Sequence, residues 1–298
     1  MTYMQTGPAT PQASLEEAGL LPASLEPERP SGRRFLIQPA VRRPVPLLLG
    51  LAGPSGSGKT YSALRLATGI ARVTGGDIVV VDTENRRAQH YADHFAFQHI
   101  DFAPPYGPLD YLAAIQTAER TKPACIVIDS LSHEHDGEGG TLDSVTAELD
   151  RLAGADTSLQ QKLAAAAWRK PKAARRALLS GLLRLETHVI VCIRANERTR
   201  MAREALAVEP VEMGLTPIAA PEFLFELTAS ALLKAGAQGN PTWASALPGE
   251  HAAIKLPRQF EQVFKSGGAL DERHGELLAR WAAGETLPPP PPKRKTKR

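Results

Sequence analysis

Gly53-Pro54-Ser55-Gly56-Ser57-Gly58-Lys59-Thr60 decides the reading of this 298-residue chain. The stretch matches G-x-x-x-x-G-K-[ST] at every fixed position, the pattern of a phosphate-binding loop (P-loop). Its glycines let successive backbone N–H groups turn inward around an anion, where a Cβ would clash. Residues 60–73 follow with Ala63, Leu66, Ala67 and Ile70 at helical spacing, and such a helix points its positive end at the same anion. Residues 46–51 supply the short apolar strand that precedes a loop of this kind. Gly53 through Thr60, with Tyr61 beside them, are therefore the candidate nucleotide-binding residues. Lys59 is placed to reach the β- and γ-phosphates of ATP, and the Thr60 hydroxyl to ligate Mg²⁺.

Outward from the loop, strand and helix patterns alternate. Residues 77–82 (DIVVVD), 124–129 and 188–194 (HVIVCIR) read as buried strands, and 223–233 as a later one. Helices are expected at 109–120, 142–152, 173–185 and 271–283, and Gly75-Gly76 ends the first helix. Fully apolar strands alternating with amphipathic helices predict an α/β fold with a mostly parallel central sheet and helices on both faces. The expected organisation is a flexible Pro-rich segment over 1–40, an ATPase-type domain over 41–250, a one-helix extension over 251–286, and a Pro-rich basic tail over 287–298. The proline run 288–292 cannot be helical and reads as an extended spacer.

Composition excludes several classes. With 43% apolar and 22% charged residues the chain is ordinary for a globular protein. No apolar run of 18 residues and no secretory start is visible, so no membrane partner and a cytoplasmic location are expected. Cys125 and Cys192 sit inside apolar runs and read as small core side chains, not as a disulfide framework or zinc site. The net charge is +3, but five of the positive charges fall in the last six residues, so the whole-chain charge says little about partners.

A metal-side carboxylate belongs at the end of an apolar strand facing the loop, and Asp129 after Cys125-Ile126-Val127-Ile128 fits. Ser130 is placed to support the same metal water. Hydrolysis also needs a group that positions water. Glu84 in Asp82-Thr83-Glu84-Asn85 and Glu134 both qualify, and Glu84 is favoured because a glutamate just after the strand beside the P-loop strand reaches the γ-phosphate. His133, Glu134, His135 and Asp136 are adjacent on one loop without a second cluster, a poor arrangement for a transition metal. With Gly137, Gly139 and Gly140 they read as a mobile loop near the γ-phosphate.

Between Lys162 and Arg203 eleven Lys or Arg residues are opposed only by Glu186 and Glu197. Such an excess is suited to a nucleic-acid backbone, with strong salt dependence. Trp168 is the one aromatic residue in that region, so no base-stacking platform is apparent.

The order of P-loop, VVVDTEN, IVIDSLS, Gly-rich loop, helix and HVIVCIRANER resembles the RecA-like P-loop ATPase core. It looks most like the short phage and prophage ATP-binding proteins of the AAA/RecA-like group, over about residues 35 to 235. The resemblance implies an Mg²⁺-ATP hydrolase acting on single-stranded DNA in phage recombination or replication, with partner proteins of that process. It implies Lys59 and Glu84 in catalysis, Thr60 and Asp129 at the metal, and Arg194 and Asn196 as γ-phosphate sensors. By position, 133–140 and 195–217 match the family's two DNA-binding loops, which makes Arg198, Arg200 and Arg203 contact candidates. A homo-oligomer completing the site in trans is also implied. Three features depart from the family: the sensor is not Gln, the filament-forming N-terminal helix and strand are not visible, and the stretch 153–172 is longer. Two other readings stay open, a phosphotransferase with Arg198, Arg200 and Arg203 in a lid, and a non-catalytic assembly protein holding ATP as a structural ligand.

Overall fold

The computed structural model describes residues 37, 39–204, 207–265 and 267–287, with backbone only at 202–204 and 207–209. The Pro-rich segment expected at 1–40 and the basic tail at 287–298 lie almost wholly outside the described residues. From Arg43 onward the chain forms one compact unit.

Its strands are β1 (Leu48–Gly53), β2 (Ile78–Asp82), β3 (Gln98–Asp101), β4 (Cys125–Asp129), β5 (His188–Glu204), β6 (Ala207–Pro217) and β7 (Ala229–Leu232). The sheet order is β3-β2-β4-β5-β1-β7, all parallel, with β6 antiparallel to β5 as a hairpin. The helices are α1 (Lys59–Thr74), α2 (Pro108–Glu119), α3 (Ser132–Asp136), α4 (Thr141–Ala153), α5 (Thr157–Ala167), α6 (Arg169–Leu182), α7 (Pro221–Glu226), α8 (Pro248–His251), α9 (Glu261–Phe264) and α10 (Glu272–Ala282). Side chains alternate across the pleat. Leu49, Leu51, Val80, Val127 and Ile190 meet α1 and α10 on one face, while Val79, Val81, Ile126, Ile128 and Val191 meet α2 and α6 on the other. This is an α/β architecture with a mostly parallel sheet, its strand tips aligned around the P-loop. Among the described residues no helix is long and apolar enough to cross a membrane.

Three segments differ from expectation. Residues 223–233 do not form one strand: Pro221 opens the short α7, its fixed φ suiting a first helical turn, and only Ala229–Leu232 joins the sheet. The long connection 153–172 is helical, with Asp156 capping α5 by accepting the Leu159 N–H at 3.0 Å. β3 carries Gln98, His99, Ile100 and Asp101 at the sheet edge, where one side lacks a neighbour and an apolar run is not required.

The segment 251–286 lies in the same core through α10, which crosses α1 at backbone contact. A Cβ on Gly69 would lie 1.9 Å from the Glu272 carbonyl oxygen, and one on Gly275 would lie 2.1 Å from that of Leu66. Arg65 clamps Glu272 with contacts of 2.6 to 3.0 Å, and Arg72 meets Glu276 at 3.1 Å. Helix propensity alone says that Gly69→Ala stabilises by about 1 kcal/mol. Packing says the opposite, because the helices must separate, and we expect a net loss of about 2 kcal/mol, read as a lower urea midpoint.

Candidate active site

β1 ends at Gly53 and the chain turns through Pro54–Gly58 into α1. Gly56 (φ 74°) and Gly58 (φ 94°) adopt left-handed backbone, where other L residues are strained. Gly53 is required by a close approach instead: a Cβ there would lie 2.2 Å from the Leu233 carbonyl oxygen. Lys59 Nζ donates to the carbonyls of Gly53 (2.9 Å) and Pro54 (2.8 Å), and burial holds its pKa below the usual lysine value. Ser57 is fully buried, and its hydroxyl has no partner among the described residues.

Asp129, at the tip of β4, is 3% exposed and accepts a 2.5 Å hydrogen bond from Thr60 Oγ1. Burial pushes its carboxyl up to about 6, against the stabilising pull of Thr60. Two hard oxygen donors thus meet below a lysine and a turn of glycine backbone, a donor set that suits a phosphate chain with Mg²⁺.

Glu84 sits on the loop after β2. Asp82, buried behind it, accepts the N–H groups of Glu84 (2.7 Å) and Ala88 (2.9 Å), which fixes the turn. Arg194 grips Glu84 with both arms of its guanidinium, Nε to Oε1 at 2.8 Å and Nη2 to Oε2 at 2.5 Å. Ser130 Oγ donates to Glu84 Oε1 at 3.0 Å, so Ser130 points at this carboxylate rather than at Asp129. Burial raises the Glu84 pKa, but the Arg194 hydrogen bonds and charge outweigh it and leave the carboxyl below its ordinary value. The sequence argument that β2 lies beside the P-loop strand is wrong. β5 and β4 stand between them, and Glu84 reaches the cleft because its loop leans across the strand tips.

A cavity of about 500 Å³ joins Pro54, Ser55, Gly56, Gly58, Lys59 and Thr60 to Glu84, Asp129, Arg194 and Asn196. Gly53, Ser57 and Tyr61 are not among its lining residues, and the Tyr61 ring packs 5.2 Å from Phe95 and 5.8 Å from Tyr91. Arg87, His90, Tyr91 and Asp136 also line the cavity; Asp136 belongs to the segment expected near the γ-phosphate, and sequence reasoning does not find the other three. The first three belong to a single 3₁₀ turn (Arg87–Tyr91), whose length carries no periodic signal.

The segment 133–140 begins as helix α3, not as a mobile loop. Glu134 is 1% exposed and accepts from Thr141 Oγ1 (2.7 Å) and Arg175 Nε (3.1 Å), which removes it as a water-positioning group. His133 meets Thr83 Oγ1 at 2.7 Å, and His135 meets Arg175 Nη2 at 3.1 Å. Among the described residues no three His, Cys, Asp or Glu side chains gather as a metal site. The segment 195–217 is a β-ribbon rather than a loop. Of the eleven basic residues, Arg175, Arg194 and Lys170 are committed to Glu134, Glu84 and Glu148. Arg198 and Arg200 are exposed on the ribbon, and the Arg203 side chain is outside the described residues.

Fold and cleft together define an ATP-binding P-loop ATPase domain. A family model described as AAA domain matches residues 46–214, more than half of the chain, and the protein belongs to that family. Among solved structures, a KaiC-like protein from the hyperthermophilic archaeon Pyrococcus horikoshii OT3 is similar at 15% identity and a TM-score of 0.28, over 57% of this chain and 79% of that one. No curated protein matches.

The buried Asp129 charge has a thermodynamic signature. Its carboxyl binds a proton more tightly when folded, so this group lowers stability as pH rises from 3.8 to about 6. Asp129→Asn should therefore raise the Tm in Mg²⁺-free buffer at pH 8, with the gain shrinking toward pH 5, while abolishing Mg²⁺-dependent ATP binding. Differential scanning fluorimetry across pH checks the first part and titration with a fluorescent ATP analogue the second.

Proposed function

We propose that this protein hydrolyses Mg²⁺-ATP and couples turnover to single-stranded DNA, as a homo-oligomer serving recombination or replication of the phage type. The observation that carries the hydrolytic part is Glu84, held at the cleft by Asp82, Ser130 and Arg194 and opposite Lys59. Thr60 and Asp129 would hold Mg²⁺, which neutralises phosphate charge when bound. Lys59 exchanges its carbonyl partners for phosphate oxygens. Arg194 is the sensor: transfer of its fork from Glu84 to the γ-phosphate frees the carboxylate to orient a water and take its proton. The water oxygen bonds to the γ-phosphorus, the bond to the bridging oxygen breaks, and ADP leaves with that electron pair. The DNA part is supported by the resemblance and by Arg198 and Arg200 on the strand that also carries Arg194 and Asn196.

Steady-state ATP hydrolysis with and without oligothymidylate tests both parts. Wild type should turn over faster with the oligonucleotide. Glu84→Gln should lower kcat at least about 100-fold with KM nearly unchanged, and Lys59→Ala should abolish turnover. Hydrolysis without stimulation at low salt would remove the DNA part. Turnover only with a phosphoryl acceptor would make the protein a phosphotransferase, and ATP binding without turnover would make ATP a structural ligand.

A further inference from the structure

A second cavity, of about 520 Å³, opens at the base of the β5–β6 ribbon. It draws its walls from parts of the chain far apart in sequence: His135 on α3, Arg198 and Thr216 on the two ribbon strands, Phe225 on α7, and His251 and Lys255 after β7. Both segments expected to contact DNA, 133–140 and 195–217, therefore open onto one hollow.

The chemistry of the walls is specific. Phe225 is 74% exposed, an unusual placement for a large aromatic ring in a short packed helix, and it lines the cavity with Pro221 and Leu224. Arg198 and Lys255 bring two fixed positive charges, and among the described residues no Asp or Glu lines the cavity. Arg198 makes no ion pair among the described residues, whereas Lys170, Arg175 and Arg194 of the same basic segment are all paired. Lys255 Nζ donates to the main-chain carbonyls of Phe225 (2.8 Å) and Leu227, which fixes it at the end of α7 with a third N–H to spare. An exposed aromatic ring and unopposed cations around one hollow are what an unpaired nucleotide requires, the base on the ring and the phosphate on the cations. The volume lies within the range of small-ligand sites.

We propose that this cavity takes a nucleotide unit of a single-stranded nucleic acid, its base stacked on Phe225 and its phosphate held by Arg198 and Lys255. The inference rests on the proposed action on DNA and names where the strand is gripped. It also supplies a direct link to the nucleotide cleft. Arg194 and Asn196 line that cleft and Arg198 lines this one, four residues along the same extended strand, about 13 Å apart. A strand seated on Arg198 thus pulls on the segment that carries the fork holding Glu84.

Fluorescence anisotropy with a labelled oligothymidylate tests it, on full-length protein at low salt. Phe225→Ala should weaken binding about tenfold, the loss of one stacked base, with ATP-analogue affinity and DNA-free hydrolysis unchanged. Phe225→Trp should restore affinity, and its added indole emission should be quenched on oligonucleotide binding. If wild type and Phe225→Ala bind the oligonucleotide equally, this site is wrong and the DNA reading stands elsewhere on the surface. If Phe225→Ala changes the sedimentation coefficient but not oligonucleotide affinity, the cavity receives a second copy of the chain, and the inference is overturned. If wild type binds no oligonucleotide, both this inference and the DNA reading fall, while hydrolysis lost in Lys59→Ala would leave the ATPase reading intact.

Discussion

The hydrogen bond between Thr60 and Asp129 is the contact on which the rest of the site is arranged. It ties the first turn of α1 to the tip of the central strand β4, across 69 residues of sequence. A carboxylate buried to 3% exposure is costly, and its oxygen is satisfied here by one hydroxyl, with the Lys59 ammonium near enough to offset part of the charge. β4 has a strand on either side and a helix layer on each face, so only its tip opens to the cleft. The site is therefore electrostatically tense before anything binds, and a hard cation is the ligand that relieves the tension.

Strand order decides what else surrounds this pair. β5 runs between the P-loop strand β1 and the Asp129 strand β4. The residue that pairs with Gly53 at the head of the phosphate loop must stand beside the phosphate position, and that residue is Arg194. Because β5 does not stop there but continues as one arm of a ribbon, the residue that holds Glu84 and the exposed Arg198 and Arg200 are on a single strand. The pleat keeps Arg194, Asn196 and Arg198 on one side of it.

Much of this is legible in the sequence because its signals are local. The loop from Gly53 to Thr60, the apolar runs ending at Asp82, Asp129 and Arg194, and the helical spacing in 60–73 are each readable within about ten residues. Sequence reasoning fails where locality fails. Residues 223–233 look like one apolar strand, and Pro221 divides them into helix and strand. Glu134 stays a second candidate beside the favoured Glu84 until Arg175, from a helix 41 residues on, closes over it. Eleven basic residues look like a nucleic-acid surface, yet at least three of them neutralise carboxylates of the domain itself. Phe225 reads as part of a buried strand and not as an exposed ring, since nothing in its own neighbourhood marks it as exposed.

By itself the sequence determined the class of chemistry: a glycine-rich turn, a lysine and a strand-end aspartate admit a triphosphate and Mg²⁺, because backbone conformation and side-chain type are properties of adjacent residues. The tertiary structure alone decided what holds Glu84 at the cleft, with the Arg194–Glu84 fork closing across 110 residues. It alone set Gly69 against Glu272 and gathered His135, Arg198, Phe225 and Lys255 around one hollow. Those are consequences of strand order and helix approach, which depend on how distant segments exclude water together and leave no periodic trace in the chain.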